Sequence, residues 1–309
     1  MTVLDGYSQV VTWVAQRLLQ SVASVSVARG GRGGTSGGSA VVLRDDGVLV
    51  TSAHVVAGVD RGGLALADGT EVPFDVVGAD PLSDLAVLRA PAALRPAELG
   101  DADDLQVGQL VVAVGNPLGY GGSVSAGVVS GLRRSMLARD GTTVRLVEDV
   151  VQTDAALHPG NSGGALADAE GRVVGISTAL VGPEVGQGLG LAVPVNRTTR
   201  RILEALVTDG RVVRRYLGVE GGTRPLPPHA AEATGLRHGI EVLAVVDRSP
   251  AARAGLRPGD VIVRVGTTAV ERTGQLQALL TGPGTEPLDL EVVRTGQVRR
   301  LRVRPVPLR

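Results

Sequence analysis

Three residue types suffice for serine-based acyl transfer: a hydroxyl nucleophile, an imidazole to take its proton, and a carboxylate to orient the imidazole. Ser162 is the nucleophile candidate, within Pro159-Gly160-Asn161-Ser162-Gly163-Gly164. The flanking glycines permit a sharp turn and let a substrate carbonyl approach the main chain closely. The Gly160-Asn161-Ser162 backbone is the expected oxyanion hole, with the N–H groups of Gly160 and Ser162 as donors. Of four histidines, His54 closes an apolar run in Thr51-Ser52-Ala53-His54-Val55-Val56, whereas His158, His229 and His238 lie elsewhere. Asp84 leads into Leu85-Ala86-Val87-Leu88, where a partly buried carboxylate needs a partner, and an imidazole N–H is a suitable one. Each also has a plainer reading, a Gly-rich turn, a structural histidine and a turn aspartate. Their sequential order makes the case for catalysis.

That order is His, Asp, Ser, which differs from the orders of subtilisin and of the α/β-hydrolases. Gly160-Asn161-Ser162-Gly163-Gly164 and Gly34-Thr35-Ser36-Gly37-Gly38 both satisfy the hydrolase elbow G-x-S-x-G. An elbow must follow a strand and open a helix. Here Val173–Thr178 and Ala40–Leu43 downstream read as strands, so an esterase is disfavoured.

The elements that must hold these residues are mostly short strands. The chain has 309 residues, 43% hydrophobic but only 2% aromatic, so Val, Leu and Ala must fill its core. Its 44 glycines cluster between Val-rich runs. Ser39–Leu43, Gly47–Ser52, Leu110–Gly115 and Arg172–Thr178 are expected strands, with turns at Asp45-Asp46-Gly47, Asp68-Gly69 and Glu170-Gly171. The Gly-rich run 30–38 reads as a loop. No regular strand–helix alternation appears, which disfavours a doubly wound sheet.

Leu4, Tyr7, Val11, Val14 and Leu18 recur at helical spacing, predicting a helix over 4–20 that packs on its own domain or serves an oligomer contact. A second helix spans 196–210, from an Asn196 cap to Gly210. Beyond Arg211–Arg215 the texture becomes a small α/β unit, with a short helix from Pro250, a strand at Val261–Val265 and a helix at Gln275–Leu280.

Charge is balanced at 31 acidic and 31 basic residues, so no net field favours nucleic acid or an anionic membrane. The absence of cysteine excludes disulfides, thiolate metal sites and a cysteine nucleophile. No metal cluster or phosphate loop stands out, and no cofactor is expected. Asp5, Gln9, Gln16 and Arg17 interrupt the N-terminal apolar residues. That argues against both a secretory signal and a transmembrane segment, and reads as cytoplasmic on those grounds alone.

Several motifs in register carry a specific resemblance. Thr51–Val56, Asp84–Leu88, Gly115-Asn116-Pro117-Leu118-Gly119 and Gln152-Thr153-Asp154-Ala155 through Gly164 resemble the HtrA (Deg) family of serine proteases in order and spacing. The resemblance implies a mainly β fold, a trypsin-like double six-stranded antiparallel β-barrel followed by a small α/β PDZ domain. The expected division is an N-terminal helix over 1–21, a protease domain over 22–200, a helix end and linker over 201–215, and a PDZ domain over 216–309. It further implies cleavage of unfolded or damaged proteins after small aliphatic residues, gated by C-terminal peptides at the PDZ domain. A catalytically unproductive peptide-binding scaffold is the alternative. Counting six residues back from the serine, as in trypsin-like enzymes, puts the specificity pocket's base at Ala156, with Ile176, Ser177 and Thr178 as a wall and Leu191 nearby. Asn161 has no charge with which to pair a freed amino terminus, so no propeptide cleavage is expected. In the PDZ domain, Tyr216-Leu217-Gly218-Val219 would present backbone N–H groups to a peptide carboxylate. The family forms trimers through N-terminal aromatics and is often extracytoplasmic. Here Tyr7 and Trp13 are the aromatics near the N-terminus, and a homotrimer would rest on the 4–20 helix.

Overall fold

The computed structural model describes residues 4–28, 35–117, 122–140, 143–178, 189–282 and 284–308. Parts of the Gly-rich run and the Leu118-Gly119 end of one motif lie outside them.

The Val-rich runs become two closed barrels. The first comprises β1 (Val22–Ala28), β2 (Thr35–Val42), β3 (Val48–Thr51), β4 (Arg61–Ala65), β5 (Glu71–Asp80) and β6 (Leu85–Arg89), closed in the order β1-β2-β3-β6-β5-β4. All its pairings are antiparallel. The second comprises β7 (Leu110–Gly115), β8 (Ser123–Asp140), β9 (Thr143–Thr153), β10 (Ala165–Ala167), β11 (Val173–Thr178) and β12 (Gly190–Pro194), closed as β10-β11-β12-β9-β8-β7. Closure leaves no strand edge unpaired around the ring. The predicted strands fall where the alternation placed them. Thr35–Gly38, read as loop, instead pairs with β1, because strand backbone bonding does not require side chains. The long β8–β9 hairpin was not foreseen.

Small aliphatic side chains fill both barrels. Val25, Val42, Leu49, Val55, Leu64 and Leu88 surround Phe74 in the first, and Val111, Val129, Val151, Leu166 and Val174 fill the second. Burial of each such side chain contributes about 1.5–3 kcal/mol. Helix α1 (Gly6–Leu18) is capped by Asp5, whose side chain accepts from the Ser8 N–H. Val14 and Leu18 are buried, whereas Leu4, Tyr7 and Trp13 are exposed. Only the C-terminal part of the predicted apolar face is therefore used. Helix α2 (Arg197–Asp209) runs from Asn196 to Gly210, which adopts φ 68°. It packs on β5 and β6, and the first compact unit runs on past the helix to Arg211. Its buried Ile202, Leu203 and Leu206 are the reason.

The chain divides into two compact units, Met1–Arg211 and Val212–Arg309. The second holds β13 (Arg215–Tyr216), β14 (Val219–Pro225), α3 (Pro228–Thr234), β15 (His238–Val245), α4 (Pro250–Arg253), β16 (Val261–Val265), β17 (Thr268–Ala269), α5 (Thr273–Leu280), β18 (Leu288–Arg294), β19 (Gln297–Val303) and β20 (Val306–Pro307). Its main sheet runs β14-β15-β16-β18-β19, with β14 at one edge. No helix among the described residues is long and apolar enough to cross a membrane.

Candidate active site

His54 sits on a short 3-10 turn, Ala53–Val56, directly after β3. Val55 and Val56 are buried and anchor the turn in the first barrel. Asp84 precedes β6, which pairs with β3, so sheet register brings the two residues together. The turn joining β5 to β6 gives Asp84 a φ of 55°, a left-handed conformation that aspartate tolerates better than most residues. The Ala53 N–H donates to the Asp84 carbonyl at 3.1 Å, tying the two turns together.

The Asp84 side chain is fully buried. The His54 main-chain N–H donates to Oδ1 at 3.2 Å, and His54 Nδ1 lies 3.0 Å from both carboxylate oxygens. The Thr178 hydroxyl, at the end of β11, donates to Oδ2. An ionised carboxylate only accepts, so Nδ1 carries the proton, and in the neutral imidazole the Nε2 lone pair is then the basic one. That is the tautomer a general base requires.

The Ser162 loop is shaped by its glycines. The Asn161 N–H donates to the His158 carbonyl at 3.0 Å, closing a turn with Pro159 and Gly160 at its centre. Gly160 has φ 92°, as the third position of a type II turn demands. An added Cβ there would lie 2.4 Å from Pro117 Cβ. Asn161 therefore spends its N–H inside the turn, in keeping with Gly160 and Ser162, and not Asn161, as the expected oxyanion donors. The Gly163 N–H donates to the Ser177 carbonyl at 2.7 Å, and the Ser39 N–H donates to the Ser162 carbonyl at 2.8 Å. A Cβ on Gly163 would meet Ser39 O at 2.1 Å and Thr51 Oγ1 at 2.3 Å. The nucleophile loop thus rests against the end of β3, three residues from His54. Gly38 lies between the Val55 side chain and the Ser162 carbonyl, so the histidine turn and the serine loop share one junction.

A cavity of about 180 Å³ opens beside Ser162, lined by Leu157, His158, Pro159, Asn161, Ser162, Ser177 and Thr178. Ser177 and Thr178, the expected wall residues, are among them. Ala156, Ile176 and Leu191 are not among the lining residues. Ala156 is exposed, and its carbonyl accepts from the Ser125 hydroxyl at 2.7 Å. Ile176 is fully buried in β11 between Ala165 and Val193, and Leu191 is buried beside Thr178 and Gln152. Asp154 ties the approach to β8 by accepting the Val128 N–H at 2.7 Å. With 154–156 held there, it is the next three residues that turn into the cavity. Thr178 has a second contact, to Asp84, that its place at the end of an apolar strand hinted at but did not specify.

Residues 38–176 match the trypsin-like peptidase domain family, and residues 241–294 match the PDZ domain family. The HtrA-type protease AlgW, solved with a tripeptide, is 35% identical, with a TM-score of 0.77 over 96% of both chains. The chain belongs to the HtrA family. The putative serine protease HhoB of a Synechocystis strain is 37% identical over 280 residues, 87% of this chain and 66% of that protein. A probable periplasmic DegP-like endoprotease of Rickettsia prowazekii is 34% identical over 86% of this chain and 52% of that protein. The chain thus spans between half and two thirds of the length of these curated relatives.

The HtrA resemblance extends to the second unit, a PDZ domain. Leu217 is buried in its core, and Gly218 has φ 83°, with no room for a Cβ 2.2 Å from that of Ser249. The Leu217 carbonyl accepts from the Ala251 N–H and the Gly218 carbonyl from the Val246 N–H. Because N–H and C=O point oppositely across a planar peptide, the Gly218 and Val219 N–H groups face away from those donors. Edge strand β14 follows, and α5 approaches it through the Thr273 N–H, 3.3 Å from Thr223 Oγ1. Among the other histidines, His238 donates its main-chain N–H to Glu271 at 3.2 Å, and the His229 ring lies close to Gly296.

Proposed function

We propose that the chain is a serine endopeptidase that cleaves unfolded proteins through His54, Asp84 and Ser162. The pairing of buried Asp84 with His54, its Nδ1–H held beside a glycine-flanked serine loop, carries the reading. Ser162 Oγ attacks the scissile carbonyl while His54 Nε2 takes its proton. The negative charge formed on the carbonyl oxygen is met by the Gly160 and Ser162 N–H groups. The imidazolium, stabilised by Asp84, then protonates the leaving amine. Water hydrolyses the acyl-enzyme by the same proton path in reverse.

The small cavity beside Ser162 favours a small aliphatic residue on the acyl side of the cut bond, Val or Ala. The side chain of Asn161 is buried against Gly115 and is neutral, with no charge to pair a freed ammonium, consistent with activity without propeptide cleavage. At the PDZ domain, a peptide would add as a strand to β14 with its carboxylate at the Tyr216–Val219 loop, and so regulate cleavage. Exposed Leu4, just before α1, and Tyr7 and Trp13 on it offer a surface for a homotrimer.

The test is cleavage of unfolded casein by the wild type and by Ser162→Ala, with the fragment ends sequenced. Loss of a triad serine should cost roughly 10⁶ in turnover, and the wild-type ends should be Val and Ala. Equal cleavage by both proteins would refute the assignment. Ends dominated by Arg or aromatic residues would overturn the pocket alone.

A further inference from the structure

Ser39, on β2 of the first barrel, is fully buried, and three segments of chain converge on it. Its N–H donates to the Ser162 carbonyl at 2.8 Å. Its hydroxyl donates to the Gly160 carbonyl at 2.7 Å and accepts the Asn116 N–H at 2.8 Å. Its own carbonyl accepts from the Thr51 hydroxyl at 2.7 Å. A hydroxyl has one proton and two lone pairs. The Asn116 N–H occupies a lone pair, which leaves the proton to point at Gly160.

We propose that Ser39 is the positioning residue of the oxyanion loop, holding the Gly160–Ser162 backbone in place against the first barrel. This rests on the reading of Ser162 as the nucleophile. Glycine populates positive and negative φ about equally, so Gly160 does not choose its own conformation. A type II turn over His158–Asn161 can become type I by rotating its central peptide, which reverses the sign of φ at Gly160 and turns that N–H away. The peptide plane after Gly160 is clamped at both ends, its N–H by the His158 carbonyl and its carbonyl by the Ser39 hydroxyl. Either turn form keeps that plane, so the clamp fixes where the loop sits against the first barrel. The first barrel thus reaches across to hold the loop of the second barrel that supplies the donors.

Ser39→Ala removes one clamp and leaves the backbone bond to Ser162. Deleting an oxyanion donor outright costs about 10²–10³ in turnover. Releasing one should cost about 10- to 100-fold in kcat, with KM within about twofold. Affinity for a peptide boronate, which forms a tetrahedral adduct on Ser162, should fall in parallel, while affinity for the matching product peptide stays unchanged. Thr199→Val is the comparison for stability, since it removes another buried hydroxyl bond in the same unit, to the Pro194 carbonyl. It should lower the melting temperature without moving kcat or boronate affinity. Ser39→Cys keeps a weaker donor and should fall between wild type and Ser39→Ala, and it stands in if the alanine variant does not fold. Wild-type kcat and boronate affinity in folded Ser39→Ala, or in Ser39→Cys where it stands in, would overturn the proposal. A wild type that forms no boronate adduct at Ser162 would instead overturn the protease reading beneath it.

Discussion

Replacing Asp84 by Asn tests the electrostatic heart of the site with almost no change in shape. A unit negative charge 3.0 Å from His54 Nδ1 stabilises the imidazolium by about 5 kcal/mol at an effective dielectric of about 20. At about 1.4 kcal/mol per decade, its loss should lower kcat roughly 10⁴-fold. The hydrogen bonds give the same sign. Oδ1 accepts the His54 main-chain N–H, so an amide nitrogen there would oppose donor to donor. The amide nitrogen must take the Oδ2 place, where the Thr178 hydroxyl can rotate to accept from it. Nδ1, equidistant from both positions, then faces a donor and is drawn toward the wrong tautomer. Initial rates on a fluorogenic Val-containing peptide should show kcat falling by about four decades, with KM nearly constant. A fall of less than tenfold would refute the charge-and-tautomer argument.

Thr178→Val deletes one donor to the same carboxylate, and a hydrogen bond to a charged group is worth about 1.5–3 kcal/mol. Peptide hydrolysis should slow by about tenfold or more, and a rate equal to wild type would remove Thr178 from the site. Glu271 accepts the Arg237 and His238 N–H groups, which hold its carboxyl below the ordinary value of 4.5. A depressed folded value means stability present above pH 4.5 and lost as pH falls through the lower folded value. Hydrogen-exchange protection of those two amides in the intact chain should therefore fall in acid, and Glu271→Gln should flatten the dependence.

The strands were legible because Val- and Leu-rich runs lie between Gly and Asp-Gly turns, and several, such as β3 and β11, are buried along their whole length; their closure into two barrels followed from the resemblance. His54, Asp84 and the Ser162 hexapeptide were legible because their neighbours are unusual: a polar residue at the rim of an apolar strand, glycines around a serine. The pocket was less so. Its lining depends on how 154–159 leaves β9, and that course is set by Asp154 reaching Val128 and Ser125 reaching Ala156, contacts about 30 residues apart in sequence. Ser39 was missed for the same reason. A serine in a Gly-Ser-Ala strand carries no mark of the loop 121 residues away that it holds.

The central claim is that His54 and Asp84 activate Ser162 and no other hydroxyl. A fluorophosphonate label followed by peptide mass mapping tests this most directly, with Asp84→Asn alongside. The account predicts a single adduct on Ser162 in the wild type, forming far more slowly in the variant. An adduct on another residue, none at all, or equal rates in the two proteins would contradict it.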